Sequence, residues 1–140
     1  MVRILLLLHN KFSHNKEDRM EGSVNKQELE NNMNRIQIVS MLFDGAVKFI
    51  KTARNKLEAG DSTGTSLYLG KTTAIIKELS NSVNVEGGDV SRNLRSLYDY
   101  VLSNLHKAGT QGDMIAIDDA EKVIQILRSG WKEMQEAGKV

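Results

Sequence analysis

Two adjacent glycines, Gly87 and Gly88, separate two stretches of this sequence that both have the apolar spacing of a helix. Gly costs roughly 1 kcal/mol relative to Ala in a helix interior, so the pair predicts a break. Asp89 is then expected to cap a new helix, whose apolar residues recur at alternating spacings of four and three: Val90, Leu94, Leu97, Val101 and Leu105. Because the connection is short, the two flanking helices are predicted to be antiparallel neighbours.

The stretch before the glycine pair and two others also have helical spacing. One begins near Lys26 and carries the stripe Ile36, Val39, Phe43, Ala46, Ile50, Ala53 and Leu57, with Asp44 and Lys48 expected to pair on its solvated side. A second, from about residue 65 to 84, presents Tyr68, Thr72, Ile75, Leu79 and Val83, widened by Leu69 and Ile76. The last follows the candidate N-cap Asp113 and presents Ile117, Ala120, Ile124, Leu127, Trp131 and Met134.

Short glycine-containing breaks join these stretches, at residues 60–64 and 109–112, and the chain has no Pro to interrupt a helix. The sequence therefore predicts an all-α fold: an antiparallel up-down four-helix bundle over residues 26–140, preceded by an N-terminal extension over residues 1–25. The extension opens with an apolar run, residues 1–8, that no small-residue cleavage site follows. A membrane helix needs about 20 apolar residues, so we expect no membrane insertion and an extension that is docked on the bundle or poorly ordered.

Composition narrows the classes of function. A net charge of +1 argues against nucleic acid as a partner, which would require clustered surplus Lys and Arg. The chain has no Cys, so disulfides and thiolate metal ligands are excluded, and a reducing compartment suits it.

No motif predicts catalysis or a cofactor. Residues 64–72 approach a phosphate-binding loop, but five residues separate the glycines where four are required, and no strand precedes them. His106 invites comparison with histidine phosphotransfer domains, but their His-x-x-Lys-Gly spacing is not matched, and the helix is expected to end at Gly109. A histidine at a helix end, favoured by the helix dipole, is therefore the simpler interpretation. With no nucleophile–base pair and no metal-ligand cluster in the pattern, we expect neither enzyme activity nor cofactor or metal.

Apolar residues outside the main stripes remain to be explained: Ile38, Leu42, Val47, Phe49, Leu102, Ile115, Val123 and Ile126. They either widen an aliphatic core or line grooves for an amphipathic partner helix. The candidates for partner binding are Ile38, Leu42, Leu102 and Val123.

Four blocks resemble the FliS family of flagellar export chaperones. They are Glu86-Gly87-Gly88-Asp89-Val90-Ser91-Arg92-Asn93-Leu94 continuing to Tyr100, Met41-Leu42-Phe43-Asp44-Gly45-Ala46-Val47-Lys48-Phe49, Ile75-Ile76-x-Glu78-Leu79, and Leu127-Arg128-x-x-Trp131. The resemblance spans roughly residues 34–134. It departs from the family at the front, where Asn34-Arg35 replaces Ser-Pro and an early Tyr is missing.

This resemblance implies a cytoplasmic chaperone that binds the C-terminal segment of flagellin, prevents its premature polymerisation and assists its delivery to the flagellar export machinery. It carries over the motif residues Leu42, Phe43, Asp44, Gly45, Gly87, Gly88, Asn93, Leu94, Leu97, Tyr98, Asp99, Tyr100 and Trp131. The alternatives are a generic helical-bundle adaptor and a histidine phosphotransfer module acting through His106.

Overall fold

Four helices make up the part of the chain that the computed structural model describes, residues 24–84 and 86–137, with side chains described from Asn34 onward. They are α1 (Val24–Glu58), α2 (Ser62–Asn81), α3 (Asp89–Gln111) and α4 (Met114–Ala137). The predicted all-α four-helix bundle is confirmed. Residues 1–23 lie outside the described part of the chain. The predicted state of the N-terminal extension therefore stays a prediction.

The helices form a closed ring in which α1 packs on α2 and α4, and α3 packs on the same two helices. Contacts between α1 and α4 show their relative direction. The later a contacting residue lies in α1, the earlier its partner lies in α4. Trp131 bonds Ile36, Arg128 bonds Asp44, and Asp118 bonds Arg54. The first and last helices are therefore antiparallel.

The core is aliphatic with a few aromatic rings, and α1 and α4 bury the stripes that their spacing predicts. On α1 the fully buried members are Val39, Phe43, Ala46, Ile50 and Ala53. On α4 they are Ile117, Ala120, Ile124, Trp131 and Met134. The remaining predicted members, Ile36, Leu57 and Leu127, are half-buried.

On α3 the predicted stripe is wrong in part, because Val90 and Leu97 are 58% and 42% exposed. The buried face comprises Ser91, Tyr98, Val101, Asn104, Leu105 and Ala108. A helix held between two neighbours buries the face that points between them, and small or polar residues at that face allow a close approach. A pattern read from aliphatic residues alone misses such positions.

On α2 the buried face is likewise rotated from the predicted one. It centres on Leu69, Thr72, Ile76 and Leu79, whereas Tyr68 and Ile75 are half-buried. Thr72 fits this face because its hydroxyl donates to the carbonyl of Tyr68 at 2.8 Å, which satisfies a buried polar group.

Two helix starts, those of α2 and α3, depart from the sequence pattern. The α2 helix begins at Ser62 rather than near residue 65, since Asp61 is its N-cap and accepts from the Gly64 amide at 2.8 Å. Asp89 is not an N-cap as predicted: Gly88, with φ +79°, holds that position, and Asp89 instead pairs with Arg92 in the first turn. Asp113 is confirmed as a cap, accepting from the Ala116 amide at 3.1 Å.

The α3 helix continues through Gly109 and ends only at Gln111, where Gly112 adopts the left-handed conformation at φ +61°. His106 therefore lies inside the helix, and its predicted place at the helix end is wrong. An isolated glycine inside a helical pattern is a weak stop signal, and the true stop is the glycine that occupies the left-handed site.

Asp44 pairs with two residues of the neighbouring helix α4 rather than with Lys48. Its carboxylate accepts from Arg128 at 2.7 Å and from Lys132 at 3.1 Å, and Lys132 also donates to the hydroxyl of Ser40 at 2.7 Å. Partial burial acts to raise the pKa of Asp44, but the hydrogen bonds and charges of Arg128 and Lys132 outweigh it, so the pKa is lowered. This family-motif aspartate thus joins α1 to α4.

The Asp44 contacts predict a pH-dependent contribution to stability. A carboxylate with a lowered folded-state pKa stabilises the fold above its unfolded pKa, about 3.9, and the contribution is lost as pH falls through the folded value. We expect Asp44→Asn to lower the free energy of unfolding at pH 7, with the deficit shrinking below about pH 4. Urea unfolding across pH measures it, with Asp99→Asn on the exposed face of α3 as control. A deficit that is constant from pH 7 to 2.5 would contradict this role.

Trp131 is buried to 3% exposure, as predicted for a core anchor of α4. Removing a large buried aromatic side chain typically costs about 3–5 kcal/mol, because transfer energy is lost and a cavity remains. Trp131→Ala is therefore expected to lower the free energy of unfolding by that amount in chemical denaturation. Ile126→Ala, on the exposed side of the same helix, serves as the control. A loss below 1 kcal/mol for the tryptophan variant would show that Trp131 does not anchor the core.

Candidate partner-binding grooves

An open groove of about 380 Å³ runs between α2 and α3. Its floor is apolar, built from Leu69, Leu102 and Leu105, of which Leu69 and Leu105 are buried in the core. Its walls are small or polar and comprise Ser66, Gly70, Thr73, Lys77, His106, Gly109 and Thr110. The groove therefore combines an apolar base with a polar rim, which is the usual anatomy of a protein-binding surface.

A smaller apolar pocket of about 180 Å³ lies beside α3 and α4, lined by Phe43, Leu94, Tyr98, Ile126, Leu127, Gly130 and Trp131. The indole N–H of Trp131 donates to the carbonyl of Ile36 at 3.2 Å, so this donor is already satisfied by the backbone of α1. The Phe43 ring packs against the indole with a centroid separation of 6.5 Å. The pocket consequently offers hydrophobic contact, with Ile126 at its rim 64% exposed.

Three of the blocks that carry the family resemblance meet at this second pocket. Phe43 comes from the block at residues 41–49, Leu94 and Tyr98 from the glycine-pair block, and Leu127 and Trp131 from the block at residues 127–131. Phe43, Tyr98 and Trp131 are buried, and Leu94 and Leu127 are half-buried. Burial raises the pKa of the Tyr98 phenol far above its usual range, so this side chain stays neutral.

The other family-motif residues divide between structural and surface positions. Leu42, Gly45 and Gly88 are half-buried, and Gly88 supplies the positive φ that starts α3. The exposed members are Asp44, Gly87, Asn93, Leu97, Asp99 and Tyr100. Of these, Leu97 and Tyr100 are large apolar or aromatic side chains left 42% and 48% exposed.

The four predicted partner-binding residues do not gather in one place. Leu102 lines the α2–α3 groove, whereas Leu42 and Val123 are half-buried against the core on α1 and α4. Ile38 is half-buried on α1. Among the other residues outside the stripes, Ile115 and Ile126 are exposed, and Phe49 packs on Tyr68 with ring centroids 6.0 Å apart.

Glycines inside helices are the groove residues that the sequence pattern did not reveal. A Cβ added at Gly70 or Gly130 would meet no atom within 4 Å, and one at Gly109 would make only ordinary contact with Leu69 at 3.6 Å. By contrast, a Cβ at Gly45 would lie 3.2 Å from Ile75, so tight packing between α1 and α2 explains that glycine. The available signal was the cost of a mid-helix glycine, which implies a compensating reason.

Three other points of the sequence analysis concern phosphate binding, metal binding and membrane insertion. Residues 64–72, which approach a phosphate-binding loop, form continuous α2 helix. Within residues 24–84 and 86–137 there is no group of three or more His, Cys, Asp or Glu placed to hold a metal. None of the helices in that part of the chain is both long and apolar enough to cross a membrane.

The fold and the grooves define an all-helical bundle with apolar clefts between neighbouring helices. The profile of one protein family, described as "Flagellar protein FliS", matches residues 21–138. The chain belongs to the FliS family. The predicted family resemblance is thereby confirmed.

Several curated proteins named "Flagellar secretion chaperone FliS" are similar to this chain. The Salmonella typhimurium protein is 35% identical over 100 residues, which cover 70% of this chain and 74% of the relative. The Escherichia coli protein is 30% identical over 99 residues, covering 69% and 73%. The Vibrio cholerae protein is 29% identical over 99 residues, covering 70% and 73%. The relatives of this chain are thus flagellar secretion chaperones by name.

The groove glycines predict an unusual response to alanine. Because Ala is favoured over Gly in a helix and finds open space here, Gly70→Ala and Gly130→Ala should each raise the free energy of unfolding by about 0.5–1 kcal/mol. Gly45→Ala, where the Cβ would press on Ile75, is the matched control and should give no gain. Urea denaturation of the three variants measures the differences. A loss of stability in Gly70→Ala or Gly130→Ala would show that these glycines serve packing.

Proposed function

We propose that this protein is a cytoplasmic chaperone of the flagellar export system that binds the C-terminal region of flagellin, keeps it from polymerising prematurely and assists its export. The observation that carries the proposal is membership of the FliS family, whose relatives here are named flagellar secretion chaperones. The proposed partners are the flagellin segment and the export machinery. The proposed activity is binding alone, without a catalytic step or cofactor.

The grooves support this proposal physically. A filament subunit awaiting export exposes apolar helix faces that would otherwise associate with one another. A folded bundle can hold such a segment in its clefts, where it becomes helical and buries its apolar face. The α2–α3 groove and the pocket at Trp131 offer two such surfaces on a scaffold whose own helices are already paired.

Leu102 is the predicted contact that the structure supports most directly, since it lies half-buried on the floor of the α2–α3 groove. Leu42, Val123 and Ile38 remain proposed contacts; Leu42 and Val123 are half-buried against the core, as Leu102 is, but do not line either groove. Family membership favours the chaperone over the generic adaptor. It also favours it over phosphotransfer through His106, whose side chain is an exposed part of the same groove wall.

Calorimetry with the C-terminal region of the same species' flagellin tests the proposal. We expect binding at tens of micromolar or tighter, roughly −6 to −7 kcal/mol or more favourable, with helix induction and a negative heat-capacity change. Leu102→Glu should weaken binding, because it places a charge on the groove floor.

Two controls separate binding from folding. Ile115→Glu makes the same apolar-to-acid change at a side chain that is 73% exposed and outside both grooves, and it should leave binding intact. Thermal unfolding of Leu102→Glu shows whether the bundle survives. Absence of binding by the wild type would refute the function, whereas unfolding of Leu102→Glu would reassign Leu102 alone to the core.

A further inference from the structure

The N-terminal half of α3 leaves an apolar seam open against the C-terminal half of α4. Leu94 of α3 lines the pocket of about 180 Å³ at this seam, together with Ile126 and Gly130 of α4. Val90 and Leu97 lie one turn before and one turn after Leu94, so they share its side of α3. Both are nevertheless exposed, as is Ile126 across the pocket. Three large apolar side chains at one seam are therefore left in contact with water.

The opposite flank of the same helix buries a polar group without a hydrogen bond. Ser91 is fully buried, and its hydroxyl has no hydrogen-bond partner within residues 24–84 and 86–137. Leu102, three helical turns further along the same flank, lines the groove with α2, so Ser91 lies on the α2 side of α3. A buried hydroxyl without a partner loses the hydrogen bonds that water would give it. The position of α3 is thus unfavourable for Ser91 on one flank and for Val90 and Leu97 on the other.

The two ends of α3 are held differently. Before its first residue stand the adjacent glycines Gly87 and Gly88, and no side chain caps the start of the helix. Glycine tolerates a wide range of backbone angles, so this connection can absorb the change that a hinge requires. At the other end Asn104 and Ala108 are buried, and Gly112 leads directly towards α4. The C-terminal end of α3 is therefore fixed, while its N-terminal end has a hinge beside it.

We propose that α3 pivots about its C-terminal end between this open position and a closed position in which its N-terminal half lies against α4. In the closed position Val90 and Leu97 pack on Ile126, and the pocket at the seam is filled. The Ser91 hydroxyl then reaches water on the side that α3 has left. A Cβ added at Gly130 would meet no atom within 4 Å, so α4 leaves room for this approach. The inference goes beyond the proposed function, because the pivot needs no client: the chain itself opens and shuts the pocket.

Cysteine labelling tests the pivot, because the chain has no Cys of its own. In Ser91→Cys the thiol is buried in the open position and reaches solvent in the closed one, so a thiol reagent should modify the folded protein. Thr72→Cys is the matched control, since Thr72 is equally buried but lies on α2, which keeps its place. We expect Ser91→Cys to be labelled at least about tenfold faster, because a local opening requires less free energy than global unfolding. Equal labelling rates would overturn the inference.

A second set of variants separates pivoting from fraying of the first turn of α3. Val90→Thr and Ile126→Thr place hydroxyls on side chains that are exposed in the open position and buried together in the closed one. Combined with Ser91→Cys, the two changes should slow labelling by about fivefold or more, because burying a hydroxyl without a partner is unfavourable. Ile115→Thr, also exposed on α4 but away from the seam, should leave the rate unchanged. Fast labelling that ignores the double change would show fraying and refute the pivot.

A measurement without cysteine covers the case in which a cysteine variant fails to fold. Trp131 is the single Trp of the chain and lines the pocket, so ¹⁵N relaxation dispersion of its indole N–H reports exchange between the two positions of α3. We expect exchange in the wild type that is reduced in Val90→Thr/Ile126→Thr and unchanged in Ile115→Thr. Equal dispersion in the wild type and the double variant would contradict the pivot. Neither experiment contains flagellin, so the outcome is independent of the proposed function.

Discussion

The indole of Trp131 closes the ring of four helices by joining the last helix to the first. It packs against Phe43 and donates its N–H to the carbonyl of Ile36, so it satisfies a buried donor while filling core volume. The ion pairs of Asp44 with Arg128 and Lys132 lie on the same pair of helices and fix their register at the surface. Because α2 packs on α1 and on α3, and α3 packs on α4, the positions of α2 and α3, and with them of both grooves, depend on how α1 and α4 are joined.

The closed ring explains how one small bundle can have a packed core and still leave open grooves at its surface. Its core uses the inner faces of all four helices, which leaves apolar side chains such as Ile126 and Leu102 at the seams between neighbours. Gly70, Gly109 and Gly130 keep those seams open at a cost of roughly 1 kcal/mol each in helix propensity. Such a cost without a packing reason is expected where stability is exchanged for binding.

The sequence specified the helices better than their outward faces. Apolar periodicity was sufficient for the all-α bundle and for the stripes of α1 and α4, because there the buried residues are mostly aliphatic. It failed on α3, where Ser91, Asn104 and Ala108 are buried and Val90 and Leu97 are not. Burial there is decided by where two neighbours press on the helix, and that is a property of the assembled bundle. The sequence pattern could not reveal the grooves for the same reason. The α2–α3 groove exists only after the two helices have packed together, which brings Lys77, His106 and Gly109 to one surface.

The central claim is that the seams of the bundle, rather than its core, bind the client. Selective ¹⁵N labelling of glycine offers a direct measurement, because the chain has only 11 glycines and three of the groove glycines lie inside helices. On titration with the flagellin C-terminal region, the amide signals of Gly70, Gly109 and Gly130 should shift or broaden, while that of Gly60, in the connection between α1 and α2, should not. Saturable binding that leaves the three groove glycines unchanged would contradict the account.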